Sequence, residues 1–367
     1  MSIEIGTVSD FGVDSKEVQN FYKETWHRPI ALPDNDFYTW QFKSAPLHNS
    51  LDLSIIAYEV KEKSILGVMG VTKRPMILDG KSIIGCEMTT WVISERVKST
   101  GVGTQIIKFI QSRHHVVTGF GINPGALRIY MRQGFRFIRQ IPRFIKVINF
   151  EPLKKYANYD SLAQDLIDRW KFDKSSQFSV NDVTESSLER TNNFLTQNFN
   201  HFSRDLAHLK WRYKNHPYFN YKQFMISSQS KNNSANVFVC LREESSLDGF
   251  KMLHVIDCFG ADANLPAAVG FIEDYARENK FDVIDFYCTS PSINCHFVSS
   301  GWFSLSDDLC FQFPHIFHPI EMRDPPTANV VYWSKENFEK LADTSKLYIT
   351  KQDADLDRPT PENLHKV

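Results

Sequence analysis

The chain has 367 residues, 42% of them hydrophobic, and its 42 Lys plus Arg against 43 Asp plus Glu leave a formal net charge of -1. That length suits two domains with real cores, while the charge balance excludes a global field for attracting nucleic acid or an anionic membrane. No run reaches 18 uninterrupted apolar residues, the N-terminus lacks a signal-peptide pattern, and the six cysteines (86, 240, 258, 288, 295 and 310) form no CxxC pair, so a cytoplasmic, reduced protein with no metal site is expected.

Taken in chain order, helices are predicted around 15–22 and 37–43. Strands follow at 54–60, 65–78 and 82–93, with Asp79-Gly80 as a tight hairpin signal between the last two. Next come a helix over 103–113, a strand at 115–119, a helix over 124–133 ended by Gly134, and a strand over 136–149. Residues 151–180 read as a charged connector. Beyond it, helices are expected at 185–199 and 204–213, strands at 223–228, 237–242 and 252–259, a helix at 265–279 and a strand at 283–288.

Two segments occur twice, in the same order. Trp40-Gln41-Phe42-Lys43-Ser44-Ala45-Pro46 matches Trp211-Arg212-Tyr213-Lys214-Asn215-His216-Pro217 at Trp, aromatic, Lys and Pro. The run Asn123-Pro124 to Tyr130 to Gly134-Phe135 aligns without gaps on Ser290-Pro291 to Phe297 to Gly301-Trp302. The chain therefore reads as two copies of one mixed α/β (α+β) fold, each a mixed twisted sheet flanked by helices. The expected division is 1–150, a connector at 151–180, a second copy at 181–335 and a C-terminal segment at 336–367.

The turn Lys98-Ser99-Thr100-Gly101-Val102-Gly103-Thr104 links a strand to a helix. Its glycines let backbone N–H groups converge on an anion without Cβ interference. The helix N-terminus adds partial positive charge and Lys98 a full one, so the nest suits a diphosphate. A ligand-free turn is the alternative for Gly-x-Gly alone. About one helix later, Asn123, Ala126 and Tyr130 fall on adjacent turns of one helical face, ahead of Gly134-Phe135. A capped amphipathic helix is the alternative there, and the pair of motifs at this separation favours a ligand site.

These residues resemble the acetyl-CoA-binding core of the GNAT superfamily of N-acyltransferases, over about residues 50–140. The family's Arg/Gln-x-x-Gly-x-Gly/Ala motif corresponds to Lys98-x-x-Gly101-x-Gly103, with lysine as a departure that alters geometry more than charge. The later Asn, Tyr and Gly-Phe motif is matched without departure. The resemblance implies an acyl-CoA co-substrate held by Ile93, Lys98, Thr100, Gly101, Val102, Gly103, Thr104, Asn123 and Ala126. It further implies a strand that splays near Ile93 to pair with pantetheine amides, where a backbone N–H stabilises the oxyanion. Tyr130 would protonate the departing thiolate. Glu87, fourteen residues before Gly101 on the same strand, would take the amine's proton; a solvated strand carboxylate is the alternative.

In the second copy the chemistry is worn away. Asn becomes Ser290, Tyr becomes Phe297, and 260–266 holds no Gly-x-Gly. This half is expected to wall the acceptor site. Aromatics such as Phe37, Trp40, Trp211 and Tyr213 suit either core packing or stacking on a nucleobase. The whole architecture resembles tandem-GNAT acyltransferases that modify nucleotide-linked amino sugars for bacterial surface polysaccharides such as O-antigen or capsule. That likeness implies a dTDP-linked 3-amino-3,6-dideoxyhexose acceptor, with dTDP-3-amino-3,6-dideoxygalactose the closest match. It implies acetyl-CoA or 3-hydroxybutanoyl-CoA as donor, a monomer or homodimer, and acceptor contacts from Arg212, Tyr213, Asp355 and Arg358. Two alternatives stay open: a GNAT enzyme acting on a peptide, polyamine or aminoglycoside, and a non-catalytic CoA-binding scaffold. A polyamine site should gather carboxylates, whereas a nucleotide-sugar site needs aromatics and a basic clamp.

Overall fold

A computed structural model describes residues 2–26, 30–159, 165, 167, 177–229, 236–305, 311–312, 328–354 and 358–359. Asp355, Cys310 and much of the expected connector lie outside the described residues. The first half runs β1 (Ile3–Thr7), α1 (Val8–Phe11), α2 (Ser15–Thr25), α3 (Asn35–Phe42), β2 (Ile55–Glu59), β3 (Ser64–Leu78) and β4 (Lys81–Ile93). It continues through α4 (Val102–Arg113), β5 (Val116–Phe120), α5 (Pro124–Arg132), β6 (Arg136–Ile138), β7 (Arg143–Val147), α6 (Phe150–Leu153) and β8 (Asn158–Tyr159). The second half begins with β9 (Phe178–Asn181), α7 (Glu185–Asn198), β10 (Asn200–Phe202) and α8 (Leu206–Leu209). After it come β11 (Tyr221–Ser228), β12 (Val237–Ser245), β13 (Lys251–Gly260), α9 (Leu265–Glu278), β14 (Val283–Tyr287), α10 (Pro291–Ser299) and β15 (Phe303–Ser304). The last elements are β16 (Phe311–Gln312), which pairs with β8, then β17 (Val330–Ser334), α11 (Phe338–Ala342) and β18 (Leu347–Tyr348).

The main sheets are mixed and flanked by helices, as the sequence led us to expect. One has the order β1-β2-β3-β4-β5-β17-β6, with β10 also on β3 and β18 on β10. The other has the order β15-β7-β14-β13-β12-β11-β9. In each, one parallel pair stands at the centre, β4 with β5 and β13 with β14. Helix α4 buries Ile106, Ile107 and Ile110 on the first sheet against Leu66, Val71 and Met88. That spacing is one apolar stripe of a helix, and each such side chain contributes roughly 1.5–3 kcal/mol on burial.

One expectation fails instructively. Residues 136–149 do not form a single strand: Pro142, which has no N–H to give a ladder, separates β6 from β7. The chain then changes sheets. Strand β7 enters the second sheet between β14 and β15. Strand β17, from the other end of the chain, enters the first sheet between β5 and β6. The two halves thus exchange their closing strands. Among the described residues no helix is long and apolar enough to cross a membrane.

Candidate active site

The site is built on β4. Its pairing with β3 continues to Ile93, but its pairing with β5 stops at Met88 opposite Gly119. The stretch from Thr89 to Ile93 therefore leaves a wedge on the β5 side. A bulge sits at the mouth of this wedge, where Met69 faces Trp91, Gly70 faces Thr89 and Thr90 is skipped. Thr90 has φ of 42°, a conformation that a β-branched residue adopts only under constraint. The Tyr22 hydroxyl supplies one such constraint, donating to the Thr90 carbonyl at 3.2 Å.

Ile93 ends β4, and the loop that follows brings the chain to α4. Gly101 sits at the start of this helix with φ of 89°, and no side chain caps it. The first-turn N–H groups of Val102, Gly103 and Thr104 have no carbonyl one turn back to accept them. Thr100 is exposed and bonds within its own turn, its hydroxyl donating to the Val97 carbonyl at 2.7 Å. The two glycines serve different ends. Gly101 is required by its positive φ, whereas a Cβ on Gly103 would lie 2.5 Å from the Trp91 ring. Lys98 is exposed and pairs with Glu95 at 2.8 Å, within its own turn.

Trp91 links this loop to the phenol. Tyr130 is buried, edge-on to Trp91 with ring centroids 5.5 Å apart and edge-on to Phe135 at 5.1 Å. Its helix α5 starts where the Asn123 side chain accepts from the Ala126 N–H at 2.9 Å, with Pro124 in the first turn. It stops at Gly134, φ 82°. Asn123 thus shapes the helix that carries Tyr130.

The equivalent wedge of the second half is filled by the chain itself. Pairing of β13 with β14 stops at Val255 opposite Phe286. Beyond it, Cys288 bridges to Thr350, and the Tyr348 hydroxyl donates to Asp257 at 2.6 Å while accepting from the Cys258 N–H at 3.2 Å. Lys351 then bonds the buried Asp285, which also holds Arg143 at 2.7 Å. Residues 347–353 occupy the place that a ligand would need.

From there the chain passes into a cleft between the halves, about 360 Å³ including its open mouth. Phe37, Trp40, Gln41, Thr72, Arg74 and Glu87 line it from the first half, with Trp211, Arg212, Gln352, Ala354 and Arg358. The repeated tryptophans lie face to face, centroids 5.0 Å apart, and each indole N–H donates to the other's carbonyl, at 3.0 and 2.8 Å. They are the local two-fold of the duplication. The N-caps of α3 and α8, Asp34 and Asp205, are equivalent too. Across this pair, Gln41 and Arg212 occupy matching positions.

Of the residues expected from sequence, Glu87, Arg212 and Arg358 meet in this cleft. Glu87 is buried, with its Oε2 3.8 Å from Arg74 Nη1. Arg358 reaches the bulge itself, Nη1 donating to Thr90 Oγ1 at 2.5 Å and Nη2 to Thr89 Oγ1. Arg212 donates to the Tyr221 hydroxyl at 2.7 Å. Tyr213 does not line the cleft: it packs in the second half's core, its hydroxyl 3.5 Å from Asp257, and burial pushes its pKa up.

Sequence reasoning missed Arg74, Gln41, His208 and Gln352. Arg74 is buried mid-sheet; its Nη2 donates to Gln352 and Asp353 at 3.0 and 3.1 Å and lies 3.1 Å from His208 Nε2. Burial, then the charge of Arg74, holds His208 well below the usual histidine range, so it is the neutral ring that meets Arg74. The available signal was the pair Lys73-Arg74, two adjacent cations inside a long, largely apolar strand, one of which must face inward.

No protein-family model matches the sequence, and no curated protein matches it. Solved structures do. A GCN5-related N-acetyltransferase from Anabaena variabilis aligns over 90% of this chain and 72% of its own, at TM-score 0.52 and 10% identity. N-myristoyltransferase from Saccharomyces cerevisiae, solved with bound myristoyl-CoA, aligns over 90% and 82%, at 0.50 and 11%. A GCN5-related N-acetyltransferase from Kribbella flavida aligns over 91% and 72%, at 0.51 and 10%. The fold is therefore that of the GNAT acyltransferases, with two mixed sheets flanked by helices.

Proposed function

We propose that the chain is an acyl-CoA-dependent N-acyltransferase whose acceptor is the amine of a nucleotide-linked amino sugar, a dTDP-3-amino-3,6-dideoxyhexose being the leading class. The observation that carries this reading is the open wedge of β4, which runs from the cleft holding Glu87 to the uncapped start of α4. In this reading the acyl-CoA lies along Thr89–Ile93 with its diphosphate on the N–H groups of Val102, Gly103 and Thr104. The amine nitrogen bonds to the thioester carbonyl carbon, Glu87 takes the amine's proton, and a backbone N–H near the bulge stabilises the oxyanion. As the C–S bond breaks, Tyr130 gives the thiolate a proton and regains one from solvent. The products are an amide and CoA, the acyl group being acetyl or 3-hydroxybutanoyl.

The cleft's chemistry supports this acceptor over a polyamine. Arg74, Arg212 and Arg358 line the cleft with Glu87 and the rings of Phe37, Trp40 and Trp211, Arg74 being paired as well with Asp353 at 3.1 Å. Guanidinium groups suit phosphates and aromatic rings suit a base, whereas a polyamine site would gather carboxylates. The likeness to amino-sugar acyltransferases of surface polysaccharide synthesis points the same way. The test is free-thiol release from a panel of acyl-CoAs with nucleotide-linked amino sugars, polyamines and peptides. Release with an amino sugar is expected; none with any amino sugar overturns the reading.

A further inference from the structure

Among the described residues, the Nε of Arg74 and the Oε1 of Gln41 are buried without a hydrogen-bond partner, and both residues line the cleft. Both side chains are more than nine-tenths buried, at 3% and 5% exposure. Neither is a fold requirement that the surroundings satisfy. Arg74 anchors its other end on Gln352 and Asp353, and its guanidinium carbon lies over the Phe202 ring, 4.6 Å from the centroid. Gln41 projects from α3 beside the stacked tryptophans, at the position where the second copy places Arg212. A donor and an acceptor left desolvated in one cavity each cost the free energy that a bound group would return.

We propose that Gln41 and Arg74 form a hydroxyl-recognition pair, selecting an amino sugar that carries a hydroxyl on a carbon next to the acylated amine. This rests on the amino-sugar acyltransferase reading above. The class follows by elimination. A carboxylate accepts from Arg74 but meets a second acceptor in Gln41 Oε1. An ammonium serves Gln41 and is repelled by Arg74. A hydroxyl both accepts and donates through one oxygen, so it satisfies the two together. Position follows from Glu87, whose Oε2 lies 3.8 Å from Arg74 Nη1. An amine held by Glu87 therefore has its neighbouring ring substituents within reach of that guanidinium.

The test compares dTDP-3-amino-3,6-dideoxygalactose with its analogues lacking the hydroxyl at C2 or at C4, by calorimetric binding and by thiol release with acetyl-CoA. The wild type should disfavour one of the two analogues by about 10- to 100-fold in kcat/KM and in affinity. Gln41→Leu should weaken the parent sugar by about that factor and leave the analogue nearly unchanged, so that discrimination collapses. Arg74→Lys, which keeps the charge near Asp353 but has no Nε–H, should do the same. Thiol release without discrimination, or discrimination that survives Gln41→Leu, overturns the pair while sparing the acyltransferase reading. Absence of thiol release with every sugar overturns both.

Discussion

At residue 130 a phenol is packed between two rings, so Tyr130→Phe removes an O–H and little else. Turnover should fall by about 10²-fold, the usual weight of a general acid, with CoA affinity unchanged by calorimetry; unchanged turnover would take Tyr130 out of the acid role. The glycines make a sharper pair. Gly101→Ala meets open space but must hold φ at 89°, for a loss of about 1 kcal/mol. Gly103→Ala drives a methyl into Trp91, whose other neighbour is Tyr130, so both thermal stability and turnover should drop. Adding Trp91→Phe, which deletes the ring atoms in the way, should restore the stability of Gly103→Ala; a double variant no more stable than the single would refute the contact as the cause.

At the scale of elements, what repeats locally was legible and what joins distant segments was not. Asp79-Gly80, the Gly-rich turn, the glycine after α5 and the tryptophan repeat each mark a feature within a few residues of itself. Strand β17 also has a strand's composition, yet its neighbours in the sheet are Phe120 and Ile138, roughly two hundred residues away, and no local pattern encodes that pairing. Arg74 eluded the reading for the same reason: its partners Gln352 and Asp353 belong to the far end of the chain. The tryptophans stood out as a repeat, but their reciprocal hydrogen bonds come from the approach of α3 to the turn Lys210–Lys214. Removing one of them tests the joint. Trp211→Ala should destabilise the protein by about 3–5 kcal/mol in urea unfolding. Trp211→Phe, which keeps a ring but loses one N–H, should cost roughly a third of that; equal losses would deny the stack any part.

For the molecule as a whole, buried histidines weaken the fold as pH falls below neutrality. Burial, their largest influence, lowers His48 and His254 to about 4 and His201 to about 3. His48 shows why it stays neutral: Nδ1 donates to the Phe42 carbonyl at 2.6 Å while Nε2 accepts from the Lys73 N–H at 2.9 Å. The unfolded chain takes up protons first as pH falls through 6.5, the folded one only near 4 or below. The histidines' contribution is thus full above 6.5 and declines below it, by about 1.4 kcal/mol per pH unit for each. Urea midpoints from pH 7 to 4.5 should fall steadily, and His48→Gln should flatten the slope; an unaltered slope would show that His48 titrates alike in both states.

The traded strands carry one more consequence. Because β7 and β17 are hydrogen-bonded on both edges within the opposite sheets, each half holds a strand of the other and the backbone ties the two together more than once. Whatever enters between the tryptophans and Glu87 therefore meets two halves that can part no further than those main-chain crossings allow.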